Sequence, residues 1–260
     1  MASINGPFDF EGPLGGMSAY KMYGSDKVIL RQKGGPTRDQ IKNDPAFVRT
    51  RELNTEHQAG MLLTGSIRHA LFPVMHLGDP QFTGRLNALG KRVQVQDTIS
   101  DRGKRNMYFS RCRHMLQGFS LNDIQVFDSI VRHPVTVRNN REERSSGISI
   151  PALIPEVNLF PVTKDPYYRL VLSLGIVSDV VFQHGMPVKE DTQEVQIHYT
   201  DWTNRGATFP ATNIELQLET ELTEGMSLLL AIGVEMGRKD PFNETRTVKR
   251  AGSAKVLGVF

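Results

Sequence analysis

The sequence predicts an α+β fold in which an N-terminal β-hairpin and a helical region precede an antiparallel β-sandwich. Near residue 126 the spacing of apolar residues changes from a helical period to a strand-like alternation. The charge changes at the same place: residues 1–126 carry 17 Lys and Arg against 11 Asp and Glu, and residues 127–260 carry 14 against 17. We therefore expect two domains, residues 1–126 and 127–260, whose opposite net charges attract each other.

The first 35 residues predict the hairpin. Residues 17–23 and 27–31 have the composition of strands, and Gly24-Ser25-Asp26 between them is typical of a short turn. An isolated hairpin is only marginally stable in water. We therefore expect it to lie against the rest of the chain or against another copy of it.

Four helices are expected between residues 37 and 93, because side chains that cap helix N-termini stand at three of their starts. Two of these caps are followed at once by proline, which the first helical turn tolerates. The third helix, residues 59–77, has one apolar face, and Pro73 should kink it or end its regular part. The starts are Thr37 with Gln40, Asp44 with Pro45, Ala59, and Asp79 with Pro80.

Seven short apolar runs separated by turn residues predict the β-sandwich, either immunoglobulin-like or jelly-roll-like. The run at 213–219 alternates cleanly, with Ile214, Leu216 and Leu218 on one face and acidic or amide side chains on the other. The seven runs are residues 135–138, 147–150, 168–174, 194–199, 213–219, 227–235 and 255–260.

Composition excludes some classes of protein. No window approaches 18 uninterrupted apolar residues, so we expect no membrane-spanning helix. The first residues lack the pattern of a secretory signal, so we expect cytoplasmic synthesis, with the final location left open. Cys112 is the single cysteine, and Arg111, Arg113 and His114 beside it would lower its thiol pKa. The favoured interpretation is an incidental or buried thiol.

The sequence contains no convincing motif for catalysis, for a cofactor or for a metal ion. Residues 84–91 resemble a phosphate-binding loop but have five residues between the glycines and Arg92 in place of Ser or Thr. Ser18 and Lys21 have the Ser-x-x-Lys spacing but lie in a strand. The seven histidines show no ligand spacing. We therefore expect no cofactor, no metal and no enzyme activity, with an enzyme site assembled only in three dimensions as the second alternative.

The densest basic segment runs from residue 85 to residue 113 and contains eight basic residues against Asp97 and Asp101. Tyr108 and Phe109 lie within it and would stack on bases. The first alternative function is therefore a binding module for an anionic partner such as nucleic acid, although no reader motif accompanies the segment. The candidate residues are Arg85, Lys91, Arg92, Arg102, Lys104, Arg105, Arg111 and Arg113.

The N-terminal third and a closing segment carry a resemblance. The matching residues include Asn5-Gly6-Pro7-Phe8, Lys33-Gly34-Gly35-Pro36, residues 41–47, residues 49–54 and residues 249–256. In these segments the chain resembles an uncharacterised conserved family of Bacteroidota-type bacteria. No activity is attached to that family, so the resemblance implies a bacterial source and no catalytic residue.

The favoured functional hypothesis is a non-enzymatic structural protein that assembles with copies of itself into a filament, tube or shell. Strands at both ends would complete a neighbour's sheet by strand addition, and the opposite charges of the two halves suit head-to-tail contact. The predicted assembly residues are Tyr20, Met22, Val28 and Leu30 in the hairpin and Val256, Leu257, Val259 and Phe260 in the last strand.

Overall fold

The fold is α+β, with N-terminal strands, then helices, then antiparallel sheets arranged as a sandwich, which confirms the predicted class. The computed structural model describes residues 2–4, 10–22, 27–32, 34–161 and 163–260, the first of these ranges as backbone only. The chain forms two compact units, Met1–Arg51 and Glu52–Phe260. The structure thus divides at a different place from the boundary predicted near residue 126.

The N-terminal unit contains a four-stranded antiparallel sheet of order β1-β4-β3-β2, larger than the predicted hairpin. The predicted turn at residues 24–26 lies outside the described residues. Among the hairpin residues predicted for assembly, Val28 is buried, Tyr20 and Leu30 are half-buried, and Met22 is 51% exposed. The strands are β1 (Ala2–Ile4), β2 (Gly12–Leu14), β3 (Met17–Lys21) and β4 (Val28–Gln32).

Three of the four predicted helix starts are confirmed, and the start predicted at Ala59 is wrong. Thr37 and Gln40 form a reciprocal capping box at the start of α1 (Arg38–Asn43). The Asp44 carboxylate accepts a hydrogen bond from the Ala46 N–H at 2.8 Å and caps a 3₁₀ turn, Pro45–Phe47. This turn leads directly into α2 (Val48–Ala70). The second and third predicted helices are therefore one continuous helix.

Proline ends the regular part of α2, as predicted. A 3₁₀ helix, Phe72–Leu77, replaces it around Pro73, because proline lacks the N–H that an α-helix requires. After Asp79 and Pro80, α3 (Phe82–Val95) begins. Two short 3₁₀ turns, Phe109–Arg111 and Arg113–Met115, and α4 (Phe127–Ile130) complete the helical region.

All seven predicted strand runs form strands, and three short strands, two of them a hairpin, were missed. The larger sheet has the order β10-β7-β13-β14 with β11 also paired to β7, the smaller has the order β12-β6-β5, and β8 and β9 form a hairpin. The bounds are β5 (Thr136–Asn140), β6 (Ser145–Ile150), β7 (Tyr167–Ser178), β8 (Val180–Gln183), β9 (Met186–Lys189), β10 (Val195–Tyr199), β11 (Thr203–Asn204), β12 (Thr212–Gln217), β13 (Met226–Lys239) and β14 (Thr245–Val259).

The larger sheet lies between two apolar cores. Val171 and Leu229 belong to the core shared with α2 and α3, whereas Leu172 and Leu230 belong to the core shared with the smaller sheet. Burial on both faces explains why β7 and β13 have nearly continuous apolar sequences instead of alternating ones. At Gly175 of β7 an added Cβ would lie 2.7 Å from the Cβ of Ala70, so the glycine lets α2 approach the sheet closely.

The last strand finds its partner in its own sheet. Residues 229–231 of β13 pair with residues 256–259 of β14, and Phe260 and Leu228 exchange backbone hydrogen bonds. On the other edge the Val256 N–H donates to the Phe119 carbonyl, and the Leu121 N–H donates to the Ala254 carbonyl. Val256 is buried, and Leu257, Val259 and Phe260 pack against the two cores. The strand needs no neighbouring chain, which corrects the expectation of strand addition at this end.

Candidate binding pocket

The candidate site is a cavity of about 520 Å³ beside the β8–β9 hairpin. The 3₁₀ turn at residues 109–111 and the segment after it form one wall, the hairpin forms the other, and the turn at Glu224 and Gly225 closes one side. We call this cavity the hairpin pocket. Its lining residues are Tyr108, Ser110, Arg111, Arg113, Asp179, Val181, Gln183, Val188, Lys189, Glu190, Glu224 and Gly225.

Asp179 is the carboxylate at the junction of β7 and β8. The Ser110 N–H donates to Oδ1 at 2.7 Å, and the Ser110 hydroxyl donates to Oδ2 at 2.6 Å. Burial raises the pKa of Asp179, and the hydrogen bonds from Ser110 and the charges of Arg113 and Arg111 offset this only in part. A carboxyl group with a raised pKa in a cavity is a common feature of functional sites.

Two arginines of the pocket are positioned by neutral partners. Arg113 donates from Nε to the Ser227 hydroxyl at 2.9 Å and from Nη2 to the Met226 carbonyl at 3.4 Å. The Arg111 guanidinium lies 4.3 Å from the centre of the Tyr108 ring. In the described part of the chain, neither guanidinium forms an ion pair with a carboxylate oxygen within 4.0 Å. Their positive charges therefore remain available to a ligand.

The hairpin supplies an apolar wall with charges at its base. Val181 and Val188 are cross-strand partners, so their side chains share one face of the hairpin. At the base, the Lys189 ammonium lies 3.5 Å from Asp191, and the Thr223 hydroxyl donates to Glu190 at 3.0 Å. The pocket thus combines an arginine-bearing side with an apolar side.

The hairpin turn has a defined conformation. His184 and Gly185 both have positive φ, at 51° and 79°, as a two-residue type I′ turn requires. Histidine followed by glycine between two apolar runs was the signal that would have predicted β8 and β9. The His-Gly pair is a weaker turn signal than Asn-Gly or Asp-Gly. The hairpin that forms this wall was therefore not predicted from the sequence, and neither were Asp179 and Lys189 as pocket residues.

The eight predicted basic residues divide into three groups. Arg85, Lys91 and Arg105 lie near buried carboxylates: Arg85 is 3.0 Å from Asp79, and Lys91 and Arg105 are 2.9 and 3.9 Å from Glu56. Within the described ranges, Arg92, Arg102 and Lys104 are exposed without an ion pair. Arg111 and Arg113 are the two that the structure brings to the hairpin pocket.

A second cavity, of about 370 Å³, lies between α2 and α3 and contains Lys91 and Glu56. Glu56 is buried and accepts hydrogen bonds from Lys91 at 2.9 Å and from the Gly103 N–H at 3.1 Å. Burial alone would raise the pKa of Glu56, but these hydrogen bonds outweigh it and hold the pKa below its usual range. The charges of Lys91 and Glu56 in this cavity neutralise each other. The cavity therefore attracts an anion less strongly than the hairpin pocket does.

Cys112 is buried behind the pocket wall. Burial and the charge of Asp179 raise the pKa of its thiol, and Arg111 offsets this only in part. The neighbouring basic residues therefore do not produce the lowered pKa considered from the sequence.

Among the described residues no group of three His, Cys, Asp or Glu is arranged to hold a metal ion. In the same part of the chain, no helix has the length and apolar character needed to cross a bilayer.

Comparison with known protein families and with curated proteins gave no match to this chain. The resemblance to a Bacteroidota-type family stays a prediction. The chemistry of the hairpin pocket is therefore the basis for the proposed function.

Proposed function

We propose that this protein is a binding module whose hairpin pocket takes a small anionic ligand with an apolar portion. The observation that carries the proposal is the pair of guanidinium groups, Arg111 and Arg113, held at a cavity by an aromatic ring, a hydroxyl and a carbonyl. Arginine is well suited to bind carboxylates and phosphates, because its planar fork donates two parallel hydrogen bonds. This narrows the anionic partner predicted from the sequence to a small molecule.

The size and apolar wall of the pocket support this narrowing. A volume of about 520 Å³ falls within the range of small-molecule sites. Val181 and Val188 offer apolar surface opposite the arginines. An anion with a short hydrocarbon chain would place its charged end at the guanidinium groups and its chain on the valines.

Asp179, Glu190 and Glu224 line the pocket and would repel an anion, and this repulsion is reduced at Asp179. Asp179 has both oxygens occupied by Ser110, and its raised pKa makes protonation easier. An anion bound beside Asp179 raises that pKa further, so binding is coupled to uptake of a proton. Glu190 accepts a hydrogen bond from Thr223 and lies at the base of the hairpin.

Isothermal titration calorimetry with octanoate, inorganic phosphate and a mixed single-stranded oligonucleotide tests the proposal. We expect octanoate to bind more tightly than phosphate, because only octanoate uses the apolar wall. Arg111→Ala should weaken octanoate binding about tenfold, the effect of losing one charge-assisted hydrogen-bonding partner. Arg92→Ala is the matched control, because Arg92 is exposed and does not line the pocket.

Two outcomes would overturn the proposal. One is oligonucleotide binding that Arg92→Ala and Arg111→Ala weaken equally while octanoate does not bind, which would favour a basic surface for nucleic acid. The other is covalent labelling of Ser110 by a serine-directed phosphonate, abolished in Asp179→Asn. That result would make the Ser110–Asp179 pair the site of an enzyme.

The predicted self-assembly into a filament, tube or shell stays a prediction. The internal pairing of β14 removes the need for a neighbour at the C-terminal end. Of the predicted hairpin residues, Val28 is buried and is no longer a candidate, whereas Met22, Tyr20 and Leu30 are still candidates for contact between copies.

A further inference from the structure

The exposed face of the smaller sheet carries two rows of polar side chains. One row crosses the three strands as Arg138, Gly147 and Glu215, and the next crosses them as Thr136, Ser149 and Asn213. These residues line a depression of about 540 Å³. The opposite face of the sheet, with Ile148 and Ile214, belongs to the core.

Gly147 creates the depression without being required by the fold. Its φ is not positive, and an added Cβ would meet only the Arg138 carbonyl oxygen at 3.9 Å, an ordinary contact. Glycine within a strand lowers stability, because it loses more conformational freedom and packs less surface than other residues. A glycine that neither the backbone nor the packing needs indicates that something approaches this strand closely from outside.

Arg138 and Glu215 flank the glycine as isolated charges. Both are exposed, and two strand spacings separate their backbones by about 10 Å. Among the described residues neither has an oppositely charged partner within 4.0 Å. Across the three strands, the row therefore consists of a positive side chain, a glycine without a side chain and a negative side chain.

This arrangement is complementary to itself. A two-fold axis that runs along β6 in the plane of contact would place Arg138 of each copy opposite Glu215 of the other. The same rotation sets Thr136 opposite Asn213, with Gly147 and Ser149 facing their own counterparts on the axis. Each surface then contacts the identical surface, which is the geometry of an isologous dimer.

We propose that this sheet face is the contact between two copies of the chain in a symmetric dimer. The contact uses the side chains of a sheet face, unlike the strand addition predicted from the sequence, and it is independent of the hairpin pocket. The three strands cover only about 15 Å in each direction. Because this is smaller than a standard interface, we expect the dimer to be weak, concentration-dependent and sensitive to salt.

Sedimentation equilibrium over a wide range of protein concentration tests the dimer. Arg138→Glu alone and Glu215→Arg alone should each weaken association at least tenfold, because each puts like charges opposite one another. The double variant, Arg138→Glu with Glu215→Arg, should restore association, since the charges are exchanged on both copies. Arg92→Glu and Glu221→Arg are controls on exposed residues outside the face.

Gly147→Val gives a second, independent test. Valine suits a strand and has room for its Cβ, so the variant should fold and melt at or above the temperature of the wild-type protein. It should also lose association, because its side chain fills the gap. A dimer that survives Gly147→Val, a double variant that does not restore association, or a wild-type protein that is monomeric at its highest soluble concentration would each overturn the proposal.

Discussion

Glu235 and Asp179 are both largely withdrawn from water at the larger sheet, but they are compensated in different ways. Glu235 of β13 receives a hydrogen bond from Arg169, and its Oε2 is 2.8 Å from His76 Nε2. Burial alone would raise the pKa of Glu235, but the hydrogen bonds and charges of these partners outweigh it and lower the pKa. Among the described residues, the Asp179 carboxylate receives hydrogen bonds from Ser110 alone, and burial keeps its pKa raised.

The two surroundings differ in whether cations and carboxylate contact each other. Arg169 lies between two rings, 4.3 Å from the centre of Tyr199 and 4.4 Å from that of Trp202, and reaches Glu235 directly. In the hairpin pocket Arg111 and Arg113 stay near Asp179 without an ion pair to it. In the first cluster the carboxylate is paired with a cation, and the pair stabilises the fold. The second leaves opposite charges separated at a cavity, as a binding site requires.

The largest expected effect comes from removing the cation of the first cluster. Arg169→Leu should lower the free energy of unfolding by about 3 kcal/mol, because it removes the guanidinium from the buried Glu235 and leaves His76 as its remaining partner. Urea denaturation followed by fluorescence of Trp202 measures this. Arg132→Leu is the matched control, since Arg132 also lies over a ring, 3.9 Å from the centre of Phe160, but within the described ranges forms no ion pair with a carboxylate. A loss of similar size in both variants would show that stacking, and not the ion pair, stabilises the cluster.

A smaller effect is expected in the pH dependence of binding. Octanoate should bind more tightly as the pH falls toward the raised pKa of Asp179, because the protonated carboxyl no longer repels the anion. Asp179→Asn should bind about as well at neutral pH as the wild type does in acid. Calorimetry at several pH values above the pKa of octanoate measures both. An unchanged pH dependence in the variant would remove Asp179 from the site.

The smallest expected effect is on stability. The pKa of Asp179 is raised above its usual value of 3.8, so ionisation penalises the folded state, and this penalty grows as pH rises through the range between the two values. Asp179→Asn should therefore change the free energy of unfolding by less than about 1 kcal/mol at neutral pH. Relative to the wild type, the variant should be more stable at neutral pH than it is in acid.

Glu235→Gln should show the opposite trend. Glu235 contributes stability above its usual pKa of 4.5, and that stability is lost as pH falls through the lowered pKa of the folded state. Denaturation curves across pH compare the two variants. If both trends have the same sign, the contrast between the two carboxylates does not hold.

Much of the fold could be predicted because its signals are local. The capping box at Thr37, the proline at position 73 and the alternation of residues 214–219 all act within a few residues, and all are confirmed. The merging of two predicted helices into α2 is also local, because the 3₁₀ turn after Asp44 continues into a helix instead of breaking away. The hairpin β8–β9 was missed because His-Gly is a weak turn signal.

The roles of the individual residues in the basic segment could not be predicted from the sequence. Composition placed eight cations between residues 85 and 113 and gave no way to rank them. Their roles depend on partners far away in the chain, such as Glu56 for Lys91 and Ser227 for Arg113. Only Arg111 and Arg113 face the hairpin pocket, and nothing in their immediate neighbours distinguishes them from Arg102 or Lys104.

The sequence alone specified the type of most elements, since periodicity, caps and turns act over short stretches of chain. The tertiary structure decided the sites, because the Ser110–Asp179 pair joins positions 69 residues apart and the Arg113–Ser227 bond joins positions 114 residues apart. It also decided that the apolar last strand pairs inside its own sheet. Apolar character requires burial, but which surface provides that burial depends on the whole chain.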